Sequence, residues 1–551
     1  MEKESFAKIY EHSFRKHWER PALSNYQGVT LCYKDLAKKI AWFHVYFQQL
    51  GIAKGDRIAV CSRNQANWCV SFFSAITYGA VVVPLLHEFK PANIHHLVNH
   101  SGAKLLFADT GIIDSLQFEE MPELMAIVNI NPFSIAYDRG NARECFLQND
   151  SAFDRAYPNG FVPDSIRYDE SPDDTLAVIN YTSGTSGFSK GVMIPYRSLM
   201  GNIYLAREKE PQMNETSEVV AMLPSAHMFG LAFEILYELS IGAHVHFLTR
   251  IPSPKILLNA MAQIRPAIVI AVPLIIEKVY KGSIKPKLDQ WWFRLLINTP
   301  LLGKYIEYKI RKQLVDAFGG RFHEVIIGGA AFNKEVERFL HRIRFPFSVG
   351  YGMTECGPII SFCNWDKAKL YACGKAAVGM QICINSPRPD KVPGEVLVKG
   401  PNVFLGYYDN EEATQMSFNR EGWFRTGDMG ILDKDGYLFL KGRSKCMILG
   451  PSGQNIYPEE IECVLNALDY VVETLVIEDS GNLVALVYPD FSRADKEGMS
   501  EADMKALVEK LVMGANASLP SYAKIHHIEF LVDDFERTPK KSIKRYIYQR
   551  S

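Results

Sequence analysis

The stretch Tyr181-Thr-Ser-Gly-Thr-Ser-Gly-Phe-Ser-Lys-Gly-Val-Met-Ile194 sets small hydroxyl residues and glycines between two apolar runs and closes on one lysine. Gly184, Gly187 and Gly191 let the backbone bend until several N–H groups converge. Thr182, Ser183, Thr185 and Ser186 add hydroxyl donors, and Lys190 adds a full charge. That combination suits a polyphosphate. It is not the nucleotide loop in which Gly-Lys-Ser/Thr opens a helix, because Gly191 follows Lys190. The flanks, Leu176-Ala-Val-Ile-Asn-Tyr181 and Val192-Met-Ile194, read as strands, so the loop is pinned as a site and is not a surface linker.

Upstream, Leu36, Ile40, Phe43, Phe47 and Leu50 alternate steps of four and three, which predicts a helix over 33–50 ending at Gly51. Asp56–Val60, Val81–Leu85 and Lys104–Ala108 are short apolar runs separated by helix-length text, the βα alternation of a mostly parallel sheet. Residues 64–87 carry no formal charge and are long enough to span a bilayer, but six hydroxyl or amide residues and Gly79 predict a buried helix and then a strand. Residues 111–175, irregular and with Pro132, Pro158, Pro163 and Pro172 among many acidic and polar side chains, read as a connection.

Downstream, Val219–Leu223, His244–Leu248 and Ala267–Val272 repeat the βα pattern, predicting a second similar subdomain. His227 and Phe229 follow a strand end, where open α/β sheets bind ligands. Val325-Ile-Ile-Gly-Gly-Ala-Ala331 and Val349-Gly-Tyr-Gly-Met-Thr-Glu355 each empty a strand into glycines. Tyr351 there offers a stacking face and Glu355 an oxygen for a hard cation. Asp428, in Gly422-Trp-Phe-Arg-Thr-Gly-Asp428, puts an acid at a turn. Residues 281–321 hold nine basic and three acidic side chains among tryptophans and tyrosines, a pattern open to either a solvated helix pair or a membrane contact.

The 551 residues exceed one core, and 61 basic against 62 acidic residues argue against a general nucleic-acid binder. Ten cysteines without a CxxC pair, and a start without an apolar signal core, point to a reducing cytoplasm, with the protein soluble or peripheral at the inner face of the membrane. Cys363, Cys373 and Cys383 are expected as buried thiols and not as zinc ligands.

In order along the chain, residues 181–192, Gly328–Ala331, Tyr351–Glu355, Gly394–Tyr407, Arg425–Asp428, Gly442–Lys445 and Asn455–Glu462 resemble the motifs of AMP-forming acyl-activating enzymes, the superfamily of acyl-CoA synthetases, adenylation domains and luciferase. Among them the chain is most similar to bacterial long-chain fatty-acid–CoA ligases. The resemblance implies an α/β fold: a large N-terminal domain, 1–441, of two βα-layered subdomains plus a small β-barrel-like part. A hinge at 442–445 and a small mobile α+β domain at 446–551 follow.

The implied reaction joins a fatty acid to ATP with Mg²⁺ and passes the acyl group to CoA. Thr182 and Glu355 match the magnesium positions, Gly329, Gly350 and Tyr351 the adenine site, and Thr354 the α-phosphate contact. Asp428 and Arg443 match the ribose contacts, His227 lies near the carboxylate, and Lys445 is the pivot. The adenylation lysine of the pattern Arg-Thr-Pro-x-Gly-Lys-Ile is replaced in Arg537-Thr-Pro-Lys-Lys-Ser-Ile543 by Ser542, which leaves Lys541 as its nearest substitute, ahead of Lys540. Cys446 also departs from the pattern. Chain length and oligomeric state stay open. The alternatives are an acyl-AMP ligase loading a carrier protein, disfavoured by the 39 positions from Glu355 to Gly394, and a catalytically impaired nucleotide- or acyl-binding relative.

Overall fold

The computed structural model describes residues 4–182, 190–249, 254–449, 455–538 and 543–550. Its largest sheet has eight strands, in the order Gly406–Tyr407, Lys190–Pro195, Leu176–Thr182, Val81–Leu85, Arg57–Cys61, Ala103–Ala108, Ala126–Ile130 and Phe133–Asp138. The inner strands run parallel and the margins antiparallel. Val81–Leu85 is buried at every residue, as a strand covered on both faces must be.

The helix Tyr33–Gln49 forms as predicted, with Gly51 left-handed at φ 68° just beyond it. The uncharged run 64–87 becomes the helix Ala66–Tyr78 and the strand after it. Its Ser71, Ser74 and Thr77 hydroxyls each donate to the carbonyl four residues earlier, so these polar groups are buried without loss of a partner. Among the described residues no helix is long and apolar enough to cross a membrane.

Residues 111–175 are more than a connection: they supply the last two strands at one edge of this sheet and the helix Ala142–Ala156. Phe133–Asp138 escaped the reading because its faces are mixed and only partly buried, whereas Ala126–Ile130, buried at four of five residues, is a short apolar run set among prolines and polar residues.

The second sheet runs Thr30–Cys32, Pro21–Asn25, His244–Phe247 and Glu218–Ala221. A bridge between Val219 and Ile268 carries it on to Val269–Ala271, Val325–Ile327 and Phe347–Val349. The first two strands come from the N-terminal 110 residues, which therefore serve both sheets. A four-stranded antiparallel sheet of Gln381–Asn385, Gly394–Lys399, Phe424–Leu432 and Leu438–Arg443 stands where the barrel-like part was expected. Cys383, on its first strand, is exposed and Cys363 and Cys373 are half-buried, so the three are not the buried set expected.

Beyond residue 446 the chain builds its own core. The hairpin Val471–Asp479/Asn482–Pro489 and the parallel strand His527–Phe530 pack with the helices Pro458–Leu465 and Glu501–Ala515 through Leu465, Val487, Met504 and Val508. Contact with the larger part includes polar pairs: Lys281 and Lys285 Nζ donate to the Asn466 and Ala467 carbonyls at 2.6 Å each, and Lys334 and Lys441 pair with Glu460 at 3.5 and 3.3 Å.

Candidate active site

A cavity of about 450 Å³ opens where the two sheets and the antiparallel sheet meet. Thr182 and Lys190 reach it from the facing ends of two paired strands, which present the ends of the hydroxyl-rich loop. Ser183, Gly184, Thr185 and Ser186 lie outside the described residues. Gly328, Gly329, Gly350, Tyr351 and Thr354 line the cavity from the ends of neighbouring strands. Gly329 is left-handed at φ 86°, a conformation that favours glycine, and a Cβ on Gly328 would stand 3.1 Å from the Phe229 ring, which would have to give by a few tenths of an ångström.

Two hydrogen-bonded chains organise the charged wall. In the first, the Tyr351 hydroxyl donates to Asp428 Oδ2 at 2.5 Å, and Arg443 Nε pairs with Asp428 Oδ1 at 2.8 Å. Burial raises the Asp428 carboxyl, and the Arg443 charge opposes that rise. Asp428 therefore has both oxygens engaged and holds Tyr351 and Arg443 against the cavity; it is those two, with Lys445, that line it.

In the second chain the Tyr407 hydroxyl donates to Glu355 Oε1 at 2.9 Å, and Lys190 Nζ sits 4.7 Å above the Tyr407 ring. Glu355 Oε2 has no hydrogen-bond partner among the described residues. With the Thr182 hydroxyl it forms the oxygen donor set that could take a hard cation. Tyr407 was missed in the sequence: 52 positions part it from Glu355, although it lies within a motif stretch already singled out.

His227 caps a short helix, its Nδ1 accepting from the Phe229 N–H at 3.3 Å, so a neutral ring carries its proton on Nε2. Asn180 fixes the preceding turn by donating to the Ala226 carbonyl at 2.8 Å. Apolar walls come from Leu205, Phe229, Phe233, Ile268, Ile326 and Phe362.

Sequence reasoning also missed two acids in the same lining, Glu210 and Glu238. Glu238 follows a π-helical stretch, Leu231–Leu236, and both of its oxygens are buried with no partner among the described residues. Burial, then the nearby Glu210, pushes its carboxyl well above the usual carboxylate range. Burial and Glu324 likewise raise Glu210 to about 8. Lys541, Lys540 and Ser542 lie outside the described residues; the residues on either side, Arg537 and Ile543, form an antiparallel bridge.

The profile of the AMP-binding enzyme family matches residues 10–408, and that of the AMP-binding enzyme C-terminal domain matches 447–550. 4-Coumarate–CoA ligase 2 of Oryza sativa subsp. japonica is 27% identical over 503 residues, covering 88% of this chain and 81% of that protein. A long-chain-fatty-acid–CoA ligase of Mycobacterium tuberculosis is 27% identical over 539 residues, covering 90% and 87%. The ATP-bound crystal structure of MatB from Rhodopseudomonas palustris superposes with a TM-score of 0.75 at 22% identity, over 99% of this chain and 98% of that one.

Proposed function

The chain belongs to the AMP-binding enzyme family, and on that premise we propose that it activates a fatty acid of long chain to its acyl-adenylate and transfers the acyl group to CoA. The observation that carries this reading is the convergence of Thr182, Lys190, His227, Gly329, Thr354, Glu355, Arg443 and Lys445 on one cavity.

In the first step a carboxylate oxygen forms a bond to the α-phosphorus of ATP as the bond to the bridging β-phosphate oxygen breaks, releasing pyrophosphate. Charge builds on the phosphate oxygens, and preorganised cations lower that barrier most. Lys190, Arg443 and Lys445 supply positive charge at the cavity, Thr354 a hydroxyl donor, and Lys541 the remaining ammonium. Mg²⁺, held by Thr182 and Glu355, would neutralise phosphate charge when bound. The glycines and Tyr351 take the adenine and Arg443 the ribose, and Asp428, expected from the sequence at the ribose, acts from behind them by anchoring Tyr351 and Arg443. His227 directs Nε2–H at the substrate carboxylate.

In the second step the CoA thiol attacks the carbonyl and AMP leaves. Residues 446–551 reorient about 442–445 between the steps, and their polar contacts with the larger domain suit such exchange.

The apolar walls and the similarity to long-chain ligases support a fatty acid. Glu238 favours a second reading, a chain ending in a hydrogen-bond donor: a distal hydroxyl would satisfy its bare oxygens, whereas a methyl group leaves them unmet, a difference of about 1–3 kcal/mol. The test is ATP and CoA with acids from acetate to oleate, 4-coumarate and an ω-hydroxy acid, following AMP and thioester by mass spectrometry. AMP and a thioester with oleate favoured support the reading. ADP as product would overturn it, and a preferred ω-hydroxy acid would select the second.

A further inference from the structure

Away from the cavity, the helices Trp291–Ile297 and Pro300–Ala317 present an unusual surface. Within 18 residues stand seven exposed large apolar side chains: Trp291, Trp292, Leu295, Leu301, Leu302, Tyr305 and Tyr308, with Leu301 86% and Trp291 74% exposed. The longer helix already spends one stripe on the core, through Gly303, Ile310 and Leu314 with Ile306 packed beside them. Leu301, Tyr305, Tyr308 and Lys312 recur at four, three and four on a second face that nothing among the described residues covers. Two apolar stripes on one helix, only one of them used, call for an outside partner.

Charge says which. Residues 281–321 carry nine basic and three acidic side chains. Of the acids, Glu307 is bound by Arg342 at 2.6 Å and Asp316 by Lys312 at 2.9 Å. Lys281 and Lys285 turn toward residues 466–469, while Lys287, Lys304 and Lys309 stay exposed. Lys309 lies 4.7 Å above the Tyr305 ring and Arg311 5.6 Å above that of Tyr308, so cations flank the aromatic stripe. A tryptophan- and leucine-rich ridge with lysines alongside matches the depth profile of a bilayer surface, apolar below and anionic at the headgroups. The helices are too short and too charged to span it.

The geometry points to this helix pair as a docking face for an anionic lipid bilayer, on which Trp291, Leu295 and Leu301 insert while Lys304 and Lys309 meet the headgroup phosphates. The inference stands on the surface alone and holds whichever acid the cavity takes.

Flotation of the full chain with vesicles of phosphatidylcholine alone, or mixed with phosphatidylglycerol, tests it. The wild type should float with the anionic vesicles, and less so as salt is added. The variant Trp291→Ser/Leu295→Ser/Leu301→Ser should lose more than about tenfold in partitioning. Lys304→Glu/Lys309→Glu should lose about 30-fold or more, at roughly 1 kcal/mol for each cation removed. Both should keep wild-type melting and AMP formation from a water-soluble acid, since these residues lie outside the cavity. A wild type that stays at the bottom of the gradient, or an apolar triple variant that floats as well, overturns the inference. A wild-type dimer that the triple variant dissociates, without vesicle binding, would assign the face to a second copy.

Discussion

Replacing Asp428 by alanine should damage nucleotide handling and stability together, by amounts that its two contacts set separately. Asp428 is 7% exposed and accepts from the Tyr351 hydroxyl at 2.5 Å, a side chain equally buried. Removing the carboxylate leaves a buried hydroxyl without a partner, which costs about 1–3 kcal/mol. The Arg443 side chain is 53% exposed and can return to water, so the pair at 2.8 Å adds less than about 1 kcal/mol after solvent screening. The sum is a loss of about 1–4 kcal/mol.

Tyr351 and Arg443 both line the cavity, and freeing them from their common anchor should lower kcat/KM for ATP by about 100-fold. Asp428→Asn keeps an oxygen for Tyr351 but sets an amide against Arg443, so its stability should fall by less than half as much. Denaturant unfolding and initial rates of AMP release at varied ATP measure the two effects. An alanine variant within roughly 0.5 kcal/mol of wild type and with unchanged ATP dependence would refute the anchoring role.

Glu355→Ala should remove the carboxylate that Tyr407 orients and abolish the magnesium dependence of AMP release; a variant with an unaltered magnesium titration would place the ion elsewhere. Burial raises Glu337 to about 7, so the native state holds its proton above the unfolded value of 4.5. The stability this group contributes is therefore present below pH 4.5 and lost as pH rises through about 7, by at most ~3 kcal/mol. Glu337→Gln, which can still accept from the Tyr371 N–H, should flatten that slope in melting curves, and an unchanged slope would discount it. Lys541→Ala should slow adenylation by roughly 100-fold and leave thioester formation from supplied acyl-AMP intact. Abolition of adenylation by Lys540→Ala alone would place the active ammonium one residue earlier.

What the sequence made legible was local. Strands that empty into glycines announce themselves in consecutive residues, so Gly329, Gly350, Tyr351, Thr354 and Glu355 stand out in the sequence alone, and they converge with Thr182 and His227 on one cavity. Contacts between distant segments were not legible. The partners Tyr351 and Asp428 lie 77 positions apart, and Pro21–Asn25 pairs with His244–Phe247, more than 200 positions away. Periodicity fixes which face of a strand is apolar, never which neighbour it takes. Within 111–175 the edge strand Phe133–Asp138 was lost because a strand with one wet face lacks the continuous apolar run that marks the central ones, whereas Ala126–Ile130 is a short apolar run buried inside the sheet. Glu238 passed unnoticed because an acid within helix-forming text reads as surface until the fold buries it.

The most direct test of the proposed chemistry follows the substrate's own oxygen. With a fatty acid labelled by oxygen-18 in both carboxylate positions, attack on the α-phosphate requires that one labelled oxygen leave with AMP when the thioester forms, the other staying in the acyl-CoA carbonyl. Mass spectrometry of AMP and pyrophosphate reads this out. AMP carrying a single label beside unlabelled pyrophosphate is the predicted result; unlabelled AMP, or label in inorganic phosphate beside ADP, would contradict it.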